Sequence, residues 1–175
     1  MTSSHSSAGE YTYAYPRPAV TVDYGLLLLG KKPEILLILR KNDPFAGKWA
    51  LPGGFVDEGE KLDVAAVREL QEETSIDFDA IPEPRQIGTF GDPGRDPRGW
   101  TVTVVFAGLC NSRVHVKGAD DADEAKFFSL DDLPPLAFDH DKVISELCKN
   151  VSRWEECTAE TKNALIEWLE KENNK

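Results

Sequence analysis

Sulfur and imidazole are scarce in this sequence. The three cysteines, Cys110, Cys148 and Cys157, form no C-x-x-C pair, and the three histidines, His5, His115 and His140, are scattered. A zinc centre of the His/Cys type is therefore not expected. An odd cysteine count with no secretory hydrophobic segment at the start predicts reduced thiols and a cytoplasmic protein. No apolar run comes near the roughly 18 residues that a membrane span requires, so no membrane role is expected. Basic residues are outnumbered: 20 Lys and Arg against 31 Asp and Glu leave a formal net charge of −11. A polyanion would meet like charge, which predicts that nucleic acid is not a partner. A small phosphorylated ligand stays open, because a bound cation inverts the local field.

What remains is the composition of an ordinary globular chain. Its 175 residues suffice for one well-cored domain and are short for two. The Ser-rich start predicts an N-terminal arm over residues 1–14, disordered or extended, followed by a single domain over 15–175 that ends in helices. Ala19 to Asp23 reads as a strand. The apolar runs Leu26–Leu29 and Ile35–Leu39 flank a hairpin signal at Gly30 to Glu34. Their near-continuous hydrophobicity predicts strands covered on both faces by helices, an α/β class. Thr101 to Leu109 is a β-branched strand. Arg113–Val116 and Ala125–Phe128 are shorter strand candidates around an acidic loop of Asp120, Asp121, Asp123 and Glu124. Asp139 or Asp141 can cap a helix carrying Val143, Ile144, Leu147, Cys148 and Val151. Ala164, Leu165, Trp168 and Leu169 mark a last helix.

The chemistry lies between Leu51 and Ile76. Leu62, Ala66 and Leu70 recur at helical spacing and predict a helix over Leu62–Thr74. On it Glu69, Glu72 and Glu73 converge near one edge, where three like charges repel. Such a cluster needs solvent or cations. The plain alternative is a solvated acidic helix face; the chemical one is a hard divalent ion, Mg2+ or Mn2+, on oxygen ligands. Gly53 and Gly54 permit a tight turn whose carbonyls can approach an ion. Arg68 can tie back to Glu72 or Glu60.

Gly54, Glu60, Arg68, Glu69, Glu72 and Glu73, with aliphatic Leu70 and Ile76, fall in one register. This stretch resembles the Nudix box, G-x5-E-x7-R-E-U-x-E-E-x-G-U with U aliphatic, of the Nudix hydrolases. Ser75 stands where that pattern has glycine; the position ends the helix, so the departure bears on local stability more than on catalysis. The resemblance implies an α/β/α sandwich with a mixed, curved sheet between helices. It implies hydrolysis of a nucleoside diphosphate linked to another moiety. Carried onto this chain, Glu69, Glu72 and Glu73 act as catalytic metal ligands, with the Gly53 carbonyl as a further one. Gly54, Glu60 and Arg68 support the loop–helix geometry. A loop carboxylate takes the proton of the attacking water; Glu124 is the candidate, with Asp120, Asp121 and Asp123 as rivals.

Phe90 to Trp100 is a Gly- and Pro-rich loop carrying Arg95 and Arg98. Arginine forks bind phosphate, although pairing with Asp92 and Asp96 is an alternative. This loop, the Tyr15–Asp23 stretch and Leu136–His140 are similar to the ADP-ribose pyrophosphatase branch of the family. That implies a Mg2+-dependent hydrolase of ADP-ribose giving AMP and ribose 5-phosphate. In such a site Tyr13, Tyr15 and Phe90 can stack on adenine, while Arg17, Arg95 and Arg98 take phosphate or the terminal ribose. The tyrosines can equally pack in the core or at an interface. The branch also implies a homodimer. Other readings are a broader nucleoside-diphosphate-X or oxidised-nucleotide pyrophosphatase, and a non-catalytic ligand sensor on the same fold.

Overall fold

In the computed structural model, which describes residues 12–174, the chain forms seven strands and three α-helices. In order they are β1 (Ala19–Leu28), β2 (Glu34–Arg40), β3 (Trp49–Ala50), β4 (Gly53–Phe55), α1 (Leu62–Thr74), β5 (Arg85–Phe90), β6 (Thr101–Cys110), β7 (Ala122–Ser129), α2 (His140–Val151) and α3 (Ala159–Glu172). Most of the arm expected over 1–14 lies outside the described residues. No helix among the described residues is long and apolar enough to cross a membrane.

One sheet joins all the strands in the order β3-β2-β1-β6-β5, with β4 added to β1 and β7 to β2. β1 and β6 run parallel from Ala19↔Thr101 to Leu28↔Cys110, and the other pairs are antiparallel, so the sheet is mixed. Its path is open, not strongly curled on itself as the resemblance implied. Alternate residues of the central strands serve opposite faces. Val22, Tyr24, Leu26, Leu36, Val104 and Phe106 pack with Ala65, Ala66 and Leu70 of α1. Leu27, Ile35, Leu37, Val105 and Ala107 pack with Val143, Ile144, Leu147 and Leu165 from α2 and α3. Two-sided cover produces the α/β/α sandwich that the unbroken apolar runs predict.

The local differences have physical causes. β1 is continuous through Gly25, where a Cβ would collide with the Leu147 side chain of α2. Gly53 and Gly54 are not a free turn: they pair with Asp23 and Val22 as strand β4. β7 starts at Ala122, inside the acidic run, so Asp123 and Glu124 are strand residues. Arg113–Val116 forms no strand, whereas Arg85–Phe90, with little apolar content, does by pairing with β6.

Ser75 ends α1 at φ 51° and ψ 24°, with its N–H on the Gln71 carbonyl at 2.9 Å. A left-handed cap is the place where glycine is favoured and a Cβ is strained. Ser75→Gly is therefore expected to stabilise the protein by about 0.5–1 kcal/mol. Thermal unfolding should show a Tm a few degrees higher.

Candidate active site

α1 presents its charged edge to β4, and Arg68 organises that edge. Its Nε and Nη2 donate to both oxygens of Glu60 at 2.8 and 2.9 Å. Nη1 donates to Glu69 Oε1 at 2.7 Å and to Glu72 Oε2 at 3.0 Å, and Nη2 also reaches the Phe55 carbonyl at 3.1 Å. Glu60 in turn accepts the Asp57 N–H at 3.1 Å, closing the loop between β4 and α1. The guanidinium holds the Glu60 carboxyl below its usual range, and Glu60 foremost raises the arginine's own value. Glu69 lies against Gly54: a Cβ there would come within 2.5 Å of the carboxylate. Glycine at 54 is needed for this close approach.

Glu73 is held differently. It is 6% exposed, and its Oε2 accepts the Gly53 N–H at 2.9 Å. Burial pushes its carboxyl up to about 8, with the Glu69 and Asp23 charges acting in the same direction. Burial likewise raises Glu69 against the pull of Arg68. The end of α1 is tied to the segment before β7: Lys117 N–H binds the Thr74 carbonyl at 2.8 Å and Ala119 N–H the Glu73 carbonyl at 3.1 Å. This brings Asp120 and Asp121 to the same cleft, where Asn42 donates to Asp121 at 3.0 Å.

The cleft has a volume of about 880 Å³, and Arg40, Arg95, Arg98 and Phe138 also line it. Arg40 lies over the Phe138 ring at 4.9 Å and donates from Nε to the Pro44 carbonyl at 2.9 Å. Burial, then the neighbouring Arg98 charge, lowers its pKa. Arg98 lies 5.0 Å from the Phe55 ring and pairs with Asp96 at 2.7 Å. Burial opposes the charge on Asp96, but Arg98 holds its carboxyl below the usual range. Arg95 forms a two-point pair with Asp139 at 3.1 and 2.7 Å and is nearly buried. Behind them, buried Asp23 accepts the Thr103 hydroxyl at 2.6 Å, and buried His140 accepts the Leu51 N–H on Nδ1 at 2.9 Å.

The cleft thus gathers Gly53, Gly54, Arg68, Glu69, Glu72, Glu73, Arg95 and Arg98, with Glu60 bound behind Arg68. Outside its lining are Glu124, exposed on β7 opposite Leu39, and Phe90, which packs on the core beneath α2. Tyr13 stacks with Arg17 at 4.0 Å, and Tyr15 is exposed; these three also lie outside the lining. Arg40, Asp23 and Phe138 were missed. Arg40 carries the one available signal, a cation ending an apolar strand shortly before the glycine pair. Among the described residues no group of three or more His, Cys, Asp or Glu is preassembled as a metal cage. The carboxylates of Glu69, Glu72 and Glu73 nonetheless offer only hard oxygen donors, the chemistry that suits Mg2+ or Mn2+.

The sequence pattern of the NUDIX domain matches residues 19–147. The chain is 47% identical over 141 residues to the ADP-ribose pyrophosphatase of Methanocaldococcus jannaschii, spanning 80% of this chain and 76% of that protein. Its structure is similar to the NUDIX domain of Shewanella oneidensis NrtR complexed with ADP ribose, with TM-score 0.72 and 33% identity. That likeness covers 86% of this chain and 99% of the domain. NrtR of the same organism has also been crystallised with a 27mer DNA; there the TM-score is 0.61 at 32% identity, over 77% of this chain and 62% of that one. This last finding overturns the exclusion of nucleic acid. Net charge is a chain average, and this domain type occurs within a longer protein that binds DNA.

The raised Glu73 carboxyl has a consequence for stability. Between its ordinary 4.5 and about 8, the folded protein keeps a proton that the unfolded chain has released. Stability contributed by that proton is full at low pH and is lost as pH rises through this window. With chelator present, Glu73→Gln should melt a few degrees above the wild type near pH 8, on the order of 2 kcal/mol. Near pH 5 the two should melt together. Thermal unfolding at both pH values checks this.

Proposed function

The chain belongs to the NUDIX domain family, and we propose that it hydrolyses the pyrophosphate bond of ADP-ribose to AMP and ribose 5-phosphate. The observation that carries this reading is that one cleft is lined by both carboxylates and arginines. Glu69, Glu72 and Glu73 line it together with Arg40 and Arg98. An anionic diphosphate needs positive charge; the arginines supply part of it and the carboxylates can recruit the rest as a bound cation. The activity of the archaeal relative supports ADP-ribose as that diphosphate.

Glu69, Glu72 and Glu73, with the Gly53 carbonyl, would hold Mg2+ or Mn2+. Such an ion would supply charge neutralisation for the diphosphate and would lower the pKa of an attacking water. Arg68 fixes two of these carboxylates in place, and the Gly53 N–H fixes the third. The water's proton passes to a carboxylate oxygen at the cleft. Glu124 is the base that the family resemblance suggests, whereas Asp120 and Asp121 are the loop acids that line the cleft. Arg98, with a side chain 40% exposed, is available to a substrate phosphate; Arg95, at 5%, serves the wall by holding Asp139.

A second reading, ADP-ribose sensing without turnover, is favoured by the likeness to the NUDIX domain complexed with ADP ribose. A substrate panel with product identification, run with Mg2+ and with chelator, separates the two. ADP-ribose should rank at or near the top in kcat/KM, with activity lost under chelation. Binding without products would establish the sensor. Rates no better than those of unrelated nucleoside triphosphates would defeat the specificity.

The arginines should also separate. Arg98→Ala is expected to raise KM for ADP-ribose about ten- to a hundredfold, the worth of one charge-assisted contact. Arg95→Ala should instead lower stability by about 2–3 kcal/mol, because it leaves the half-buried Asp139 carboxylate without its ion-pair partner. KM and Tm measured on both variants decide the assignment.

A further inference from the structure

Leu51 lies between β3 and β4, is 2% exposed, and has a backbone N–H that must find an acceptor. Just before it the chain is paired backbone to backbone: Trp49 N–H binds the Pro135 carbonyl at 3.1 Å, and Ala137 N–H binds the Trp49 carbonyl at 2.8 Å. The neighbouring segment then turns into α2, whose first residue is His140. The pairing is continued there by a side chain, the His140 imidazole, with Nδ1 accepting the Leu51 N–H at 2.9 Å. Two residues further on, Gly53 N–H donates to Glu73 Oε2 at 2.9 Å.

We propose that His140 is a positioning residue for the hydrolytic site. By accepting the Leu51 N–H, it sets the path of the Leu51–Gly53 backbone and so the placement of the Gly53 amide and carbonyl beside Glu73. The imidazole acts through its Nδ1 lone pair, which requires the neutral form with the proton on Nε2. Burial holds His140 below its usual pKa, in keeping with that form. Nε2 lies 3.6 Å from Asp23 Oδ1, beyond hydrogen-bond distance, so the short contact is the one to Leu51. The kinetic part rests on the hydrolase reading; the structural part does not.

Asparagine and glutamine divide the two nitrogens between them. An Asn amide oxygen reaches the place of Nδ1, and a Gln amide reaches the place of Nε2. Tm, Mn2+ affinity without substrate, and kcat and KM for ADP-ribose are to be measured on His140→Asn and His140→Gln. His140→Asn should stay within about threefold of wild type in kcat and Mn2+ affinity, since the accepting atom is kept. His140→Gln should lose about 10- to 100-fold in one or both, at a Tm close to that of the Asn variant and with little change in KM. Equal losses, equal retention, or retention by Gln alone would overturn the assignment. Imidazole 15N shifts of the wild-type protein at neutral pH keep the test open if a variant does not fold. They should report the Nε2–H tautomer, and a proton on Nδ1 would sink the proposal. Should the wild type fail to turn over ADP-ribose, the hydrolase reading falls, while the Mn2+ affinities and the tautomer still judge His140.

Discussion

The site depends on one guanidinium. Three glutamates on a single helix edge would repel, and Glu69 is further penalised by burial. Arg68 distributes its donors over Glu60, Glu69, Glu72 and the Phe55 carbonyl, so one planar cation fixes a loop, a strand end and two carboxylates. A lysine offers a point charge and could not hold Glu60 through two parallel bonds. Glu73 takes its hydrogen bond from the backbone of β4 instead, and its burial is left uncompensated by arginine contact of that kind. The result is a helix edge whose geometry is set before any cation arrives.

What was legible in the sequence was local. The spacing of Leu62, Ala66 and Leu70 located α1, and uninterrupted runs such as Ile35–Leu39 announced strands buried on both faces. The spacing from Gly54 to Glu73 pointed to the carboxylate site because those residues lie on one short strand, the loop after it and one helix. What was not legible depends on distant partners. β5 exists because β6 offers a free edge, not because Arg85–Phe90 is apolar. Gly53 and Gly54 look like a turn until β1 pairs with them. His140 meets Leu51 across 89 positions of sequence, and no local pattern carries that contact.

Charge shows the same division between average and place. A net charge of −11 describes the whole chain, yet Arg40, Arg95 and Arg98 collect on one wall of one cleft. The Arg98 charge raises the cost of charging Arg40, and both guanidiniums lie near the Phe138 ring. The inference from acidic composition to an absence of nucleic acid failed for the related reason that binding is decided by local fields and by whatever chain accompanies the domain.

Arg95 and Arg98, three positions apart in one loop, have come to different work. Arg98 pairs within the loop and keeps an exposed face; Arg95 crosses to Asp139, the residue before His140. The arginine loop, the start of α2 and the approach to β4 are thereby bonded into one wall: Arg95 to Asp139, then His140 to Leu51. The opposite wall is bonded as a unit through Arg68 and through the 117–119 segment on the α1 carbonyls. The two meet at the Gly53–Glu73 hydrogen bond, between two residues that both line the cleft. The Glu73 side chain and backbone are thus each held by one of the bonded units, so its placement depends on both.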